Sequence, residues 1–168
     1  MTSNITSFRP MRRIRQQLSD DESIKLLNQA TSGVLSLIGE GGYPYGVPMS
    51  FVFREGHIYL HSALKGHKID SIRQDEKACF TIIACDEIHG EKFTTFFRSV
   101  ICFGDIHVVN DKQQRLEAIQ WISAKYSQES KEAMNREIAS CGDAMCILDF
   151  RIEHLTGKEA IELTKQRK

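Results

Sequence analysis

The chain has 168 residues, 41% of them hydrophobic, and its 22 basic and 22 acidic side chains give a formal net charge of zero. That length fits one domain, 1–168, able to bury a core without disulfides or metals. The charge balance argues against an electrostatic nucleic-acid binder, and no apolar run approaches the ~20 residues of a membrane span.

The one basic cluster, Arg9, Arg12, Arg13 and Arg15, reads as a solvated arm over residues 1–18. It has no apolar stretch beside it, so it is not a secretory signal. Cys79, Cys85, Cys102, Cys141 and Cys146 form no CxxC pair. Their odd number and strand settings predict reduced thiols in a cytoplasm, and no metal site.

In chain order, Ser19 with Glu22 is a capping box. Ile24, Leu26, Leu27 and Ala30 give the helix an apolar stripe, with Gly33 as its expected stop. Val34 to Ile38 reads as a buried strand, and Gly39 to Gly42 as a hairpin turn. The next strand alternates, with Tyr45, Val47, Met49, Phe51 and Phe53 on one face. Pro48 removes a ladder donor there and predicts an edge strand or a bulge. After a turn at Glu55-Gly56, strand 57–63 puts His57, Tyr59 and His61 on one face and Ile58, Leu60 and Ser62 on the other.

Residues 65–74 read as a short helix, 78–84 as a buried strand and 86–93 as a polar loop. Thr94 to Val109 is a long strand with a bulge or kink expected at Gly104. Asn110 or Asp111 caps a helix carrying Leu116, Ile119, Ile122 and Tyr126. A helical piece at 129–139 ends at Cys141-Gly142. In the last strand Leu148, Phe150 and Ile152 face in and Asp149, Arg151 and Glu153 face out; Gly157 ends it, and the tail 162–168 is expected to fray. The predicted class is a β-dominated α+β fold: six antiparallel strands closed into a small barrel with peripheral helices.

Several chemistries are missing. No Gly-rich dinucleotide fingerprint, Gly-Lys-Ser/Thr loop or Gly-x-Ser-x-Gly elbow occurs. His57 and His61 share a strand face but stand about 13 Å apart along it, too far to chelate one metal.

What is present is a strand, a turn and a basic helix start over residues 58–68. A phosphomonoester carries about −1.5 to −2 charges and three strong acceptor oxygens. Ser62 offers a hydroxyl, Gly66 lets the backbone approach, and Lys68 and His67 add donors at helix amides that favour anions. His61 points opposite to Ser62, either toward a ligand ring or bonded to a carbonyl. In Pro48-Met49-Ser50-Phe51 the interrupted ladder frees backbone groups for a flat heteroaromatic ring, while the side chains of Met49 and Phe51 read as core. Arg98 stands in an apolar strand and must reach solvent, a carboxylate or a ligand.

Met11-Arg12-Arg13 with the Ser19 helix, Pro44–Phe51, Tyr59–Ala63 with Gly66-His67-Lys68, Phe97–Gly104 and Leu155–Glu159 together resemble the NimA-like nitroimidazole-resistance proteins. Those belong to the pyridoxamine 5'-phosphate oxidase-related FMN-binding split barrels. The resemblance implies a six-stranded split barrel, a homodimer with FMN at its interface, and a flavin-dependent oxidoreductase acting on a small aromatic acceptor such as a 5-nitroimidazole. It implies cofactor contacts from Pro48, Met49, Ser50, Phe51, His61, Ser62, Ala63, Gly66, His67, Lys68, Arg98 and Ser99, with His61 as the catalytic proton donor and Lys158 near the interface. Ser50 stands where Asn is frequent in the family, and His67 where Arg or Lys is common. The substrate-phosphate pocket of true pyridoxamine phosphate oxidases is not evident. NADH and NADPH are the candidate electron donors. The alternative is a flavin or haem carrier without turnover, with His61 or His57 as the axial ligand; an unliganded structural homodimer is a third reading.

Overall fold

Ser19 and Glu22 satisfy each other's backbone amides and open the first helix, α1 (Asp20–Gln29), as the capping box requires. A computed structural model describes residues 8–127, 132, 136 and 145–167 of the chain. The helical piece expected at 129–139 and its break at Cys141-Gly142 lie outside them, except that 132 and 136 are helical. In chain order the other elements are β1 (Ser32–Ile38), β2 (Pro44–Ser50), β3 (Val52–Arg54), β4 (His57–Ala63), α2 (His67–Gln74), β5 (Lys77–His89), β6 (Thr94–Val108), α3 (Lys112–Tyr126), β7 (Met145–Glu159) and a short α4 (Ile161–Thr164).

All strand pairs are antiparallel, in the order β2-β1-β5-β6-β7-β4-β3. Among the described residues seven strands are present where six were expected, because one expected strand is divided. β2 pairs with β1, β3 pairs with β4, and Phe51 alone separates them. The two ends of the sheet are therefore continuous in sequence, which curls the sheet onto itself. Pro48 lies in β2, an end strand of the order, as its missing donor demands. Phe51, Phe80 and Phe150 are fully buried at the centre with Leu35, Ile58 and Leu60.

The junction at Phe51 is held by the end of α3. The Phe51 amide donates to the Tyr126 hydroxyl at 2.8 Å. That hydroxyl lies 2.7 Å from the Phe51 carbonyl and 2.5 Å from that of Thr31, and its one proton serves one of them at a time. Lys125 Nζ donates to the Phe51 carbonyl at 2.9 Å and the Ala30 carbonyl at 2.6 Å, and sits 4.1 Å from the Phe51 ring centroid. A backbone group removed from its ladder and buried needs such partners. Burial also pushes the Lys125 ammonium down to about 8.

Other expectations need correction. Gly33 does not stop α1, which ends at Gln29; it lies inside β1, where an added Cβ would meet the Phe80 ring at 2.4 Å. Residues 86–89 are strand rather than loop, because they pair with 94–97 in a two-stranded ribbon whose backbone bonds do not depend on side-chain polarity. Gly157 does not end β7: the strand continues to Glu159, and a Cβ at 157 would lie 2.1 Å from Ser23 Oγ on α1. Asp149 is not outward and solvated but 2% exposed, bonded to His57 Nδ1 at 2.7 Å and to Gln114 of α3 at 3.1 Å. On α3 it is Ala118 and Ile122 that are buried, while Leu116 is exposed. The bulge expected at Gly104 is present as a register shift between Phe103 and Gly104. Parts of the expected arm and tail are tied down as well: Gln16 and Leu18 are buried, Gln17 bridges to Lys158, and Arg167 pairs with Glu22 and Glu159.

Candidate functional site

β4 ends and α2 begins across a three-residue connection, Leu64 to Gly66, and this corner opens a cleft of about 570 Å³. Its walls carry His61, Ser62, Ala63, Gly66, His67 and Lys68, six of the expected site residues. Tyr45, Lys65 and Met145 line it too. Tyr45 shares its strand face with Met49, which made it visible as a neighbour of that face. Met145 arrives by the pairing of β7 with β4, opposite Ala63, a juxtaposition with no local signal.

Gly66 caps α2 at φ 117°, a left-handed region that suits glycine, and a Cβ there would meet nothing within 4 Å. The backbone at the helix start is therefore open to a ligand. α2 presents its first amides and the positive end of its dipole beside it. Ser62 is 9% exposed, lines the cleft, and its hydroxyl has no hydrogen-bond partner among the described residues. Lys68 is half-buried, and its Nζ donates to the Met49 thioether at 3.5 Å, a weak acceptor. Burial lowers the Lys68 pKa from its ordinary value. A desolvated ammonium with a thioether for its partner, lining one cleft with an unpartnered hydroxyl, is a donor set that fits an anion, and a phosphate group in particular.

His67 does something other than expected. Its ring stacks on Tyr45 with centroids 4.0 Å apart and planes at 17°, and its Nε2 accepts from the Glu40 amide at 3.2 Å. That nitrogen is therefore taken, and the neutral ring carries its proton on Nδ1. His61 is exposed in the cleft, with no ring hydrogen bond among the described residues.

The remaining expected residues lie apart from these walls. Phe51 is fully buried, and its amide and carbonyl are occupied by Tyr126 and Lys125, so its backbone is not free for a ring. Pro48 and Ser50 are exposed on β2, and Met49 reaches the cleft's edge through Lys68. Arg98 and Ser99 sit on β6 opposite Glu159 and Lys158. Arg98 Nε donates to Glu159 at 3.1 Å, and Arg98 lines a separate groove with Lys25, Gln29 and Arg167. Its requirement for a carboxylate is met within the chain. The described cysteines carry free thiols, and burial raises Cys102 to about 12, so it is unreactive. Among the described residues no group of three or more His, Cys, Asp or Glu is arranged to hold a metal, and no helix is long and apolar enough to cross a membrane.

Three solved structures similar to this chain share the fold. A candidate 5-nitroimidazole antibiotic resistance protein from Bacteroides thetaiotaomicron is 21% identical, with 85% of this chain and 86% of that one covered and a TM-score of 0.69. A FAD-binding protein from Mesorhizobium loti is 22% identical over 86% and 95%, with a TM-score of 0.60. A FAD and heme binding protein from Mycobacterium smegmatis is 18% identical over 88% and 74%, with a TM-score of 0.63. No curated protein matches the chain. The family model described as pyridoxamine 5'-phosphate oxidase matches residues 19–159, from the α1 cap to the end of β7, and the chain belongs to that family.

Proposed function

We propose that this protein is a flavoprotein that holds FMN by its phosphate in the α2 cleft and serves as an oxidoreductase for a small aromatic acceptor such as a 5-nitroimidazole. The observation that carries the reading is the half-buried Lys68 ammonium with a thioether as its partner, beside the unpartnered Ser62 hydroxyl. The family and the flavin-binding proteins among its structural neighbours support it. When bound, the flavin supplies the electron chemistry; the protein supplies binding, orientation and electrostatics. Ser62, Lys68 and the first amides of α2 take the phosphate, and Gly66 lets the backbone approach it. In this reading His61 hands a proton to the acceptor.

A second copy of the chain completes the site in this proposal. Ile83 and Ile88 on β5, Phe93 at the ribbon tip, and Ile101 and Phe103 on β6 are exposed apolar side chains that a partner would cover. Light scattering on the purified protein should give a dimer mass.

The visible spectrum of the purified protein tests the reading directly. Bands near ~450 nm, present as purified or after FMN is added, are expected; a colourless protein that takes up no FMN rejects it. A haem carrier is the second reading, favoured by the free imidazole of His61 in the cleft, whereas His57 is committed to Asp149. A Soret band on haem titration that disappears in His61→Ala would select it.

A further inference from the structure

We infer that the α2 cleft also carries a base subsite and binds an adenine nucleotide, with the base stacked on the open face of His67 and its phosphate beside Lys68 and Lys65. The phosphate half rests on the flavin-phosphate reading above; the base half rests on a separate observation.

That observation is a ring held ready without a protein partner on its outer side. Tyr45 covers one face of the His67 imidazole, with centroids 4.0 Å apart. The Glu40 amide holds its Nε2 edge at 3.2 Å. Gly39 leaves room for both rings, since a Cβ there would stand 3.0 Å from Tyr45 Cβ and 3.1 Å from His67 Nε2. One face and one edge are therefore fixed, yet His67 is exposed and lines the cleft. The second face and the Nδ1–H edge remain. A flat ring already ordered by a neighbour loses little freedom when a base stacks on it, and the Nδ1 proton, which lies in the ring plane, stays available to a ribose or phosphate oxygen.

Position selects the ligand class. His67 follows Gly66 and precedes Lys68, so the platform is adjacent to the phosphate-facing groups. A nucleotide's ribose is a shorter link than the ribityl chain of a flavin and places its base close to its phosphate. Lys65 lines the same cleft, which gives a diphosphate a second cation. An adenosine phosphate reaches such a site as the AMP half of FAD or as the AMP half of a nicotinamide dinucleotide, and one set of titrations separates the two.

The test is calorimetry on the full chain with ADP, FMN, FAD and NADPH, repeated on His67→Ala and Tyr45→Leu. ADP should bind, and each substitution should weaken it about tenfold or more, the scale of one base stacked on one aromatic ring. The exposed position of His67 keeps the first variant informative if the second fails to fold. If FAD exceeds FMN in affinity by about the same factor and His67→Ala abolishes that excess, the subsite serves FAD. If FAD and FMN bind alike and His67→Ala weakens NADPH instead, it serves the dinucleotide donor. FMN binding with no ADP binding, or with ADP binding indifferent to His67→Ala, overturns the base subsite and leaves the flavin reading intact. ADP binding through His67 with no flavin binding does the reverse.

Discussion

The cleft at α2 and the groove beside α1 both gather cations on the rim of one barrel, and they resolve those charges differently. In the groove, Arg98 Nε donates to Glu159 at 3.1 Å, and Glu159 is fully buried. Arg167 adds contacts of 2.7 Å to the other Glu159 oxygen, outside hydrogen-bond alignment, and 2.8 Å to Glu22. Both arginines there face a carboxylate of their own chain. In the cleft, Lys68 has a thioether and Ser62 has no partner among the described residues. A charge satisfied internally organises the fold; one left with a weak acceptor in a cavity is a candidate for binding a ligand of opposite sign.

The sharpest way to break this comparison is to remove one cation from each side. Lys68→Ala should weaken FMN binding by roughly 10- to 150-fold, the scale of about 1.5–3 kcal/mol for a charge-assisted hydrogen bond. The exposed Lys65→Ala should cost far less FMN affinity. Arg98→Ala should leave FMN affinity near wild type and instead lower unfolding stability by about 1–2 kcal/mol, since a buried carboxylate loses its aligned donor. Titration and urea unfolding of the same proteins check both halves. An affinity loss in Arg98→Ala equal to that in Lys68→Ala would place Arg98 in a partner subunit's flavin site instead.

The two regions also differ in how far they could be read from sequence. The cleft was legible because its residues are local: strand, glycine and basic helix start occupy 58–68, and each has a short-range reason. The capping box at Ser19, the edge position of Pro48 and the bulge at Gly104 were legible for the same reason. Arg98's partner was not, since Glu159 lies 61 residues away and becomes its neighbour through the β6–β7 register. Met145 in the cleft wall depends likewise on β4 pairing with β7. The role given to the Phe51 backbone failed because Tyr126, 75 residues on, occupies it. Charge and turn chemistry announce themselves in a sequence, whereas the strand neighbour that answers a charge does not.

Tyr126 gives a milder test on the structural side. Tyr126→Phe keeps the ring and deletes the oxygen that accepts from the Phe51 amide. A buried donor left without an acceptor costs about 1–3 kcal/mol, so the urea midpoint should fall. FMN affinity should fall less than in Lys68→Ala, because β2 reaches the cleft through Tyr45 and Met49 and not through Phe51. A midpoint equal to wild type would mean that the closure does not depend on the hydroxyl.

The smallest effect separates Lys68 and Lys125, two half-buried lysines that donate to no carboxylate. Burial lowers the pKa of both Lys68 and Lys125, but the Lys125 ammonium donates to two carbonyls and lies over an aromatic face of its own chain. For Lys125 the folded value is about 8 against 10.5 for a free lysine. Below that window both folded and unfolded states are protonated, and the cost of burying the charge is present in full. As pH rises from about 8 toward 10.5 the folded state has released its proton while the unfolded state still holds it, so stability rises with pH. Lys125→Met should flatten that rise. Adding phosphate should leave the Lys125 contribution unchanged, since its ammonium is already held by the Ala30 and Phe51 carbonyls. Lys68 should respond in the opposite way, because an anion in the cleft favours its charged form and raises its lowered pKa, so binding should take up protons at any pH where free Lys68 is partly deprotonated. Calorimetry in buffers of different ionisation enthalpy reads that uptake. Its persistence in Lys68→Ala would assign the proton to another group and remove the distinction between the two lysines.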